Sequence, residues 1–201
     1  FNTKAGAQQF ASELGLIIVV PDTSPRGTGI EGEDEDYDLG TGASFYINAT
    51  QGKWSAHYRM EDYIIHELPK VIEEHFPVQK NSQGIFGHSM GGHGALTLAL
   101  KYPKNFRSVS AFAPICAPSQ CPWGKKAFTA YFGDNKEDWL KHDANELMKT
   151  PPSHTDVLGV GGLIPWLAQT NSSHTARSIS SQWAGDRWAV WEFPDGSAAL
   201  F

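Results

Sequence analysis

Gly84-Ile85-Phe86-Gly87-His88-Ser89-Met90-Gly91-Gly92-His93-Gly94-Ala95 is the stretch that decides how the rest of the chain is read. Gly84-Ile85-Phe86 reads as a brief strand, Gly87-His88-Ser89-Met90-Gly91 as a sharp turn, and Gly92 to Tyr102 as a small-residue helix stopped at Pro103. A serine at the apex of such a strand-to-helix turn stands clear of its neighbours. Because a serine hydroxyl is a weak nucleophile, it needs a base to take its proton and N–H groups to hold a developing oxyanion. Ser89 is therefore the candidate nucleophile, and the Met90 backbone N–H, at the positive end of a helix, is the candidate oxyanion donor. Gly87 and Gly91 are expected to let strand and helix pass close together. The competing reading, an ordinary Gly-rich turn, would not require a strand before it and a helix after it.

Outward from this turn the chain alternates strand-like and helix-like stretches. Thr3 to Leu14 sets Ala7, Phe10, Ala11 and Leu14 on one helical stripe, with Gly15 where a C-cap is expected. Leu16-Ile17-Ile18-Val19-Val20 is a short β-branched run that predicts a parallel strand covered on both faces, ended by Pro21 and Asp22. Between Ala56 and His75 the residues Tyr63, Ile64, Leu68, Val71 and Ile72 follow helical spacing, with Pro69 kinking or interrupting the helix. Ser108 to Ala113 predicts another buried strand, and Pro118 to Trp139 a loop plus a helix carrying Trp123, Phe128, Tyr131 and Phe132. Strands alternating with helices give a mostly parallel, doubly wound α/β sheet, which together with the turn at Ser89 makes a partial α/β-hydrolase fold.

From Thr23 to Gly52 the chain is rich in Gly, Pro and Ser and reads as one long loop. Its acidic members Glu31, Glu33, Asp34, Glu35, Asp36 and Asp38 are expected to be solvated, whereas Ser44-Phe45-Tyr46 points to a loop that packs down and walls a site.

Length and charge narrow the classes further. With 201 residues, 40% of them hydrophobic, one domain-sized core is expected. A net charge of -6, with 16 scattered Lys and Arg, argues against a nucleic-acid partner and for a small molecule. No apolar run approaches the roughly 20 residues of a membrane helix, so no membrane partner is expected. The chain opens on Phe1 with no targeting peptide in view. Cys116 and Cys121, the only cysteines, read as reduced thiols, which favours a cytoplasmic protein. No histidine lies near them, so neither a metal nor any other cofactor is expected. The triplets Asn48-Ala49-Thr50 and Asn171-Ser172-Ser173 are read as chance matches to a glycosylation pattern.

In an α/β hydrolase the acid and then the base follow the serine in sequence. Histidines beyond Ser89 are His93, His142, His154 and His174, and possible orienting acids are Asp134, Asp138, Asp143 and Asp156. Asp156 with His174 respects the order and is the weak candidate pair; His142 and Asp143 read as part of a charged, solvated helix. His88 diverges from its neighbour Ser89 and is set aside as the base.

Four segments together resemble the S-formylglutathione hydrolases, the esterase D family: Pro21-Asp22-Thr23-Ser24-Pro25-Arg26-Gly27, Gly42-Ala43-Ser44-Phe45-Tyr46, the Gly87 to Ala95 run, and Pro122-Trp123-Gly124-Lys125-Lys126-Ala127-Phe128. The resemblance covers about Phe1 to Thr155. It implies a serine thioesterase and carboxylesterase that hydrolyses S-formylglutathione to glutathione and formate in formaldehyde catabolism. The implied partner is a glutathione thioester, with a homodimer as the assembly to test and no metal or cofactor. Family members carry a Gly-Leu-Thr-Cys loop, which supplies the second oxyanion N–H, and this chain starts after it. The family's acid, in Gly-Leu-x-Asp, and its His, in Asp-His-Ser-Tyr-Tyr, have no counterpart here: Ile164 stands at the acid's place in Gly161-Gly162-Leu163-Ile164. Residues 1–155 are thus read as a partial hydrolase core and 156–201 as a divergent segment of the kind a shifted reading frame or retained intron would give. Two alternatives follow, a catalytically inactive truncated hydrolase-like protein and an acyl-transferring esterase of the same fold.

Overall fold

The computed structural model describes residues 5–149 and, beyond them, the backbone of 157–160, 177–183, 186–192 and 198–199. Three parallel strands, β1 (Ile85–His88), β2 (Val109–Phe112) and β3 (Val157–Val160), stand in the order β1-β2-β3, with Ile85 opposite Val109 and Val109 opposite Val157. Helix α4 (Met90–Lys101) makes the crossover from β1 to β2 and packs on both. Its sequence carries no charged residue before Lys101, and every residue from Gly92 to Leu100 is buried, as a helix that is apolar all round must be. Ile85, Val109 and Ala111 meet Ala95, Leu96 and Ala99 on the α4 side of the sheet.

The chain before β1 supplies three helical stretches. Helix α1 (Ala7–Glu13) ends at Gly15, whose φ of 66° lets the chain reverse while the Leu16 N–H bonds to the Ala11 carbonyl at 2.8 Å. Helix α2 (Met60–Asp62) passes into a π turn over Tyr63–Glu67 and then into α3 (Leu68–His75). Pro69 is the second residue of α3, and the wider π register immediately before it accommodates a residue that has no N–H to donate to the preceding turn. After β2 come α5 (Pro122–Phe132), α6 (Lys136–Leu140) and α7 (Ala144–Leu147). The Sγ of Cys121 accepts from the Gly124 N–H at 3.4 Å, so this cysteine serves as the N-cap of α5.

The long loop carries the largest core. Phe45 and Ile47 from the loop, with Trp54 and Tyr58 just beyond it, close on Phe128, Tyr131, Phe132 and Trp139 of α5 and α6. Burial of each such ring contributes on the order of 2 kcal/mol. The Tyr131 hydroxyl accepts from the Gly40 N–H and donates to the Ala43 carbonyl, both at 2.9 Å, tying the loop to α5. The expected packing of Ser44-Phe45-Tyr46 is therefore realised. The acidic stretch is only partly solvated, because Glu33 is buried: its carboxylate accepts from the Thr28 hydroxyl, the Gly29 N–H and the Tyr58 hydroxyl, which makes it the organiser of the turn.

Two expectations are corrected. Leu16 to Val20 forms no strand, and Leu16 is 60% and Ile17 50% exposed. A strand needs a ladder partner, and among the described residues none pairs with this run: β1, at the edge of its sheet, is bonded only to β2. It instead borders a trough of about 1510 Å³, shared with Phe10 and Leu14 of α1 and with Phe86, Ser110 and Phe112 on the sheet face opposite α4. His142 and Asp143 likewise do not belong to a solvated helix. Asp143 is fully buried as the N-cap of α7 and accepts from the Ser119 and Glu146 N–H groups, and the His142 ring stacks on Phe132 at 4.3 Å.

Separately, β4 (Arg177–Trp183), β5 (Asp186–Glu192) and β6 (Ala198–Ala199) form an antiparallel sheet in that order, with Ile179 opposite Val190. Among the described residues no helix is long and apolar enough to cross a membrane.

Candidate active site

Ser89 lies between the last residue of β1 and the first of α4, at φ 55° and ψ −114°. A non-glycine residue rarely holds such a conformation, which costs of order 1–3 kcal/mol unless its surroundings over-determine it. They do here. The Ser89 N–H donates to the Phe112 carbonyl at 2.9 Å, and the Ser89 carbonyl accepts from the His93 N–H at 3.0 Å and the Ile115 N–H at 3.2 Å. Ala113, just past β2, is itself held at φ 41°, so two strained residues face each other across the ends of two neighbouring strands. Ser89 is half-buried and borders the trough together with Met90, Gly91 and Tyr46. As the first residue of α4, Met90 carries one of the N–H groups that have no intrahelical acceptor.

The two turn glycines differ in what they do. A Cβ on Gly87 would lie 2.1 Å from the Gly91 carbonyl oxygen, so strand and helix can approach only over a glycine. A Cβ on Gly91 would meet nothing within 4 Å, which corrects the expectation for that position: it is Gly91's backbone, not its missing side chain, that sits against Gly87. Gly92 lets Pro114 approach to 3.0 Å of its Cβ position, and Gly94 accepts the Tyr46 ring, 2.7 Å from where a Cβ would stand.

The wall opposite is strained as well. Phe45 and Tyr46 are consecutive residues at φ 58° and 50°. The fully buried Phe45 ring lies edge-on to Trp123, His93 and Phe128, with centroids at 5.2, 5.5 and 5.9 Å. The Ser44 hydroxyl donates to the Thr23 carbonyl and the Gly42 N–H to the Ser24 hydroxyl, both at 2.8 Å, fixing the corner to the Pro21–Gly27 segment. Within that segment Arg26 bonds both oxygens of Asp22 and holds its carboxyl below the usual range. No local pattern in the sequence specifies this double left-handed corner. Its signal is indirect, a bulky pair hemmed in by Gly40, Gly42 and Ser44.

Of the histidines named as candidate bases, His93 is fully buried on α4 and points away from solvent, donating from Nε2 to the His142 carbonyl at 2.8 Å. Burial pushes its pKa down to about 4. His142 is held down to about 3, by burial first and then by the ammonium of Lys101. Neither lies against Ser89 with a carboxylate behind it. His88 is exposed at the end of β1. Asp134 is exposed, Asp138 pairs with Lys141, and Asp143 is spent as a cap. His154, Asp156 and His174 lie outside the described residues, as does Asn171. Asn48 is occupied, donating to Asp62 at 2.8 Å and accepting the Asp62 N–H at 3.1 Å. Both cysteines are free thiols, and burial raises Cys116 to about 12, which makes it a poor nucleophile.

Comparisons with known proteins bear on the family and the fold. The family model Esterase, described as "Putative esterase", matches residues 1–180. The chain is 55% identical over 156 residues to the S-formylglutathione hydrolase of Paracoccus denitrificans, a match covering 78% of this chain and 56% of that protein. With the S-formylglutathione hydrolase of Mus musculus it shares 55% identity over 159 residues, 79% of this chain and 56% of the relative. Among solved structures it is similar to an S-formylglutathione hydrolase from Agrobacterium tumefaciens, with a TM-score of 0.75 and 46% identity over 79% of this chain and 57% of that one. The chain thus spans a little over half the length of these relatives, and its parallel sheet, crossover helix and elbow are a partial α/β-hydrolase fold. On the match of sequence and architecture together, this chain belongs to the esterase family that the model describes.

Proposed function

We propose that the chain is the elbow-bearing part of a serine thioesterase and carboxylesterase that hydrolyses S-formylglutathione to glutathione and formate. The observation that carries this reading is the conformation of Ser89, held at positive φ between β1 and α4 by three backbone hydrogen bonds. Such a turn lifts the hydroxyl out of the strand and sets the N-terminus of α4 toward the carbonyl oxygen of the group it attacks. The 55% identity to proteins named S-formylglutathione hydrolase supports the choice of substrate.

In this reading the Ser89 oxygen adds to the thioester carbonyl as its proton passes to a base, and the Met90 N–H holds the oxyanion. Collapse of the tetrahedral adduct breaks the C–S bond and expels glutathione thiolate, leaving a formyl ester on Ser89. Water then adds to that ester, and formate departs as Ser89 recovers its proton. Asp156 and His174 remain the acid and base candidates on chain order alone. The reduced state of both cysteines fits a cytoplasmic setting for a glutathione-linked reaction.

The test is turnover of S-formylglutathione by the full-length protein, read as released thiol and formate, beside its Ser89→Ala variant. Loss of a nucleophile typically lowers the rate by about 10³-fold or more. Equal formate release by both proteins would overturn the assignment of Ser89.

A further inference from the structure

His93 sits four residues after Ser89 and is used by no step above, yet it is built into the turn at two levels. Its backbone N–H closes the first turn of α4 on the Ser89 carbonyl at 3.0 Å. Its ring, fully buried, reaches away from the turn, and Nε2 donates to the His142 carbonyl at 2.8 Å, 49 positions along the chain. Between these anchor points the imidazole lies edge-on to Phe45 at 5.5 Å and tilted against Phe128 at 6.4 Å. One side chain thus touches the elbow helix, the strained Phe45–Tyr46 corner, α5 and the turn before α7.

The choice of an imidazole here has a solvation cost. Nδ1 is buried with no hydrogen-bond partner among the described residues. A leucine of similar bulk would carry no such orphan. What the imidazole adds is direction: the Nε2–H bond fixes the ring's rotation, and the fixed ring edge is what Phe45 packs against. A hydrocarbon could fill the volume without setting either angle.

We propose that His93 is a positioning residue, which through the His142 carbonyl and the Phe45 edge holds the elbow at Ser89 in fixed register with the Phe45–Tyr46 wall. The inference rests on the esterase reading for its catalytic consequence, though not for the coupling itself. Displacing the turn by a fraction of an ångström would misdirect the hydroxyl while leaving the binding surface in place, so the loss should fall on kcat rather than KM.

The experiment compares the full-length protein with His93→Leu, which removes the donor, and His93→Gln, whose amide can occupy the Nε2 position and restore it. Three quantities are read: labelling of Ser89 by a fluorophosphonate, kcat and KM on 4-nitrophenyl acetate, and amide hydrogen exchange in 43–47 and 89–93. In His93→Leu labelling and kcat should fall about tenfold with KM within about twofold, and both segments should lose protection together. His93→Gln should return to within about threefold of the parent. A side chain that merely fills space would lower the melting temperature without the kcat loss and without rescue by Gln. Parent-like labelling in His93→Leu, or a His93→Gln as slow as His93→Leu, would overturn the proposal. Should His93→Leu not fold, Phe45→Leu removes the edge contact and keeps the imidazole; about threefold slowing supports the coupling, and parent rates refute it. If the parent itself is not labelled at Ser89, the esterase reading fails, and exchange alone decides: joint loss of protection in both segments, reversed by Gln, upholds the inference, and unchanged protection overturns it.

Discussion

The ammonium of Lys101, in the last turn of α4, bonds both carboxylate oxygens of Glu61, at 2.5 and 2.6 Å, with the Glu61 side chain only 6% exposed. The Tyr102 hydroxyl donates to the same carboxylate at 2.6 Å, and burial raises that phenol's pKa further. This buried pair joins the far end of the elbow helix to α2. Removing one partner strands a charge, so Lys101→Met should cost about 3 kcal/mol, whereas Lys101→Met with Glu61→Leu should cost less than the single change. Urea titrations of the three proteins measure it; equal or greater loss in the double variant would contradict the arrangement.

Gly87 and Gly91 should respond oppositely to alanine. At Gly87 the new methyl meets backbone 2.1 Å away, and at Gly91 it meets open space. Gly87→Ala is expected to lose about 3 kcal/mol. Gly91→Ala should be neutral or gain up to about 1 kcal/mol from helix propensity. Thermal melts of the two variants decide it, and similar losses in both would sink the account of the turn.

Acid should loosen the protein before it protonates most carboxylates. His93 and His142 are held near 4 and 3, below the ordinary 6.5, chiefly by burial. Groups that stay neutral in the fold contribute stability in full above pH 6.5, and lose it as pH falls from 6.5 towards their folded pKa. Stability should therefore decline from about pH 6.5, by about 2 to 3 kcal/mol for each ring at pH 4.5, read as a falling urea midpoint, with less decline in His93→Gln. A flat midpoint from pH 7 to 5 would contradict the buried placement of both rings.

Glu33 should prove structural in spite of its acidic neighbours. Glu33→Ala leaves the Gly29 N–H and the Thr28 and Tyr58 hydroxyls without their acceptor and should cost about 2 kcal/mol. Glu35→Ala, on the exposed side of the same stretch, should change stability by less than about 0.5 kcal/mol. Chemical denaturation of the pair separates the two roles.

What could be read in the sequence was what local chemistry encodes. Gly84 to Ala95 announced strand, turn and helix because their order, the glycines and the apolar helix are all contiguous. Phe45 and Phe128 were visible as aromatic positions, but the corner at Phe45–Tyr46 depends on partners as distant as Tyr131 and could not be read from spacing. The Leu16 to Val20 run failed for the complementary reason, since its β-branched residues state a preference that only a pairing strand can realise. Asp143 and His142 looked solvated because charge surrounds them in sequence, while in space Ser119 and Phe132 cover them.

The most direct test of the central claim is to treat the full-length protein with a fluorophosphonate and locate the adduct by peptide mass spectrometry. The expected result is a single adduct on the peptide containing Gly87-His88-Ser89-Met90-Gly91, absent from a folded Ser89→Ala variant. An adduct on any other residue, or labelling that survives Ser89→Ala, would contradict the assignment of Ser89 as the attacking group.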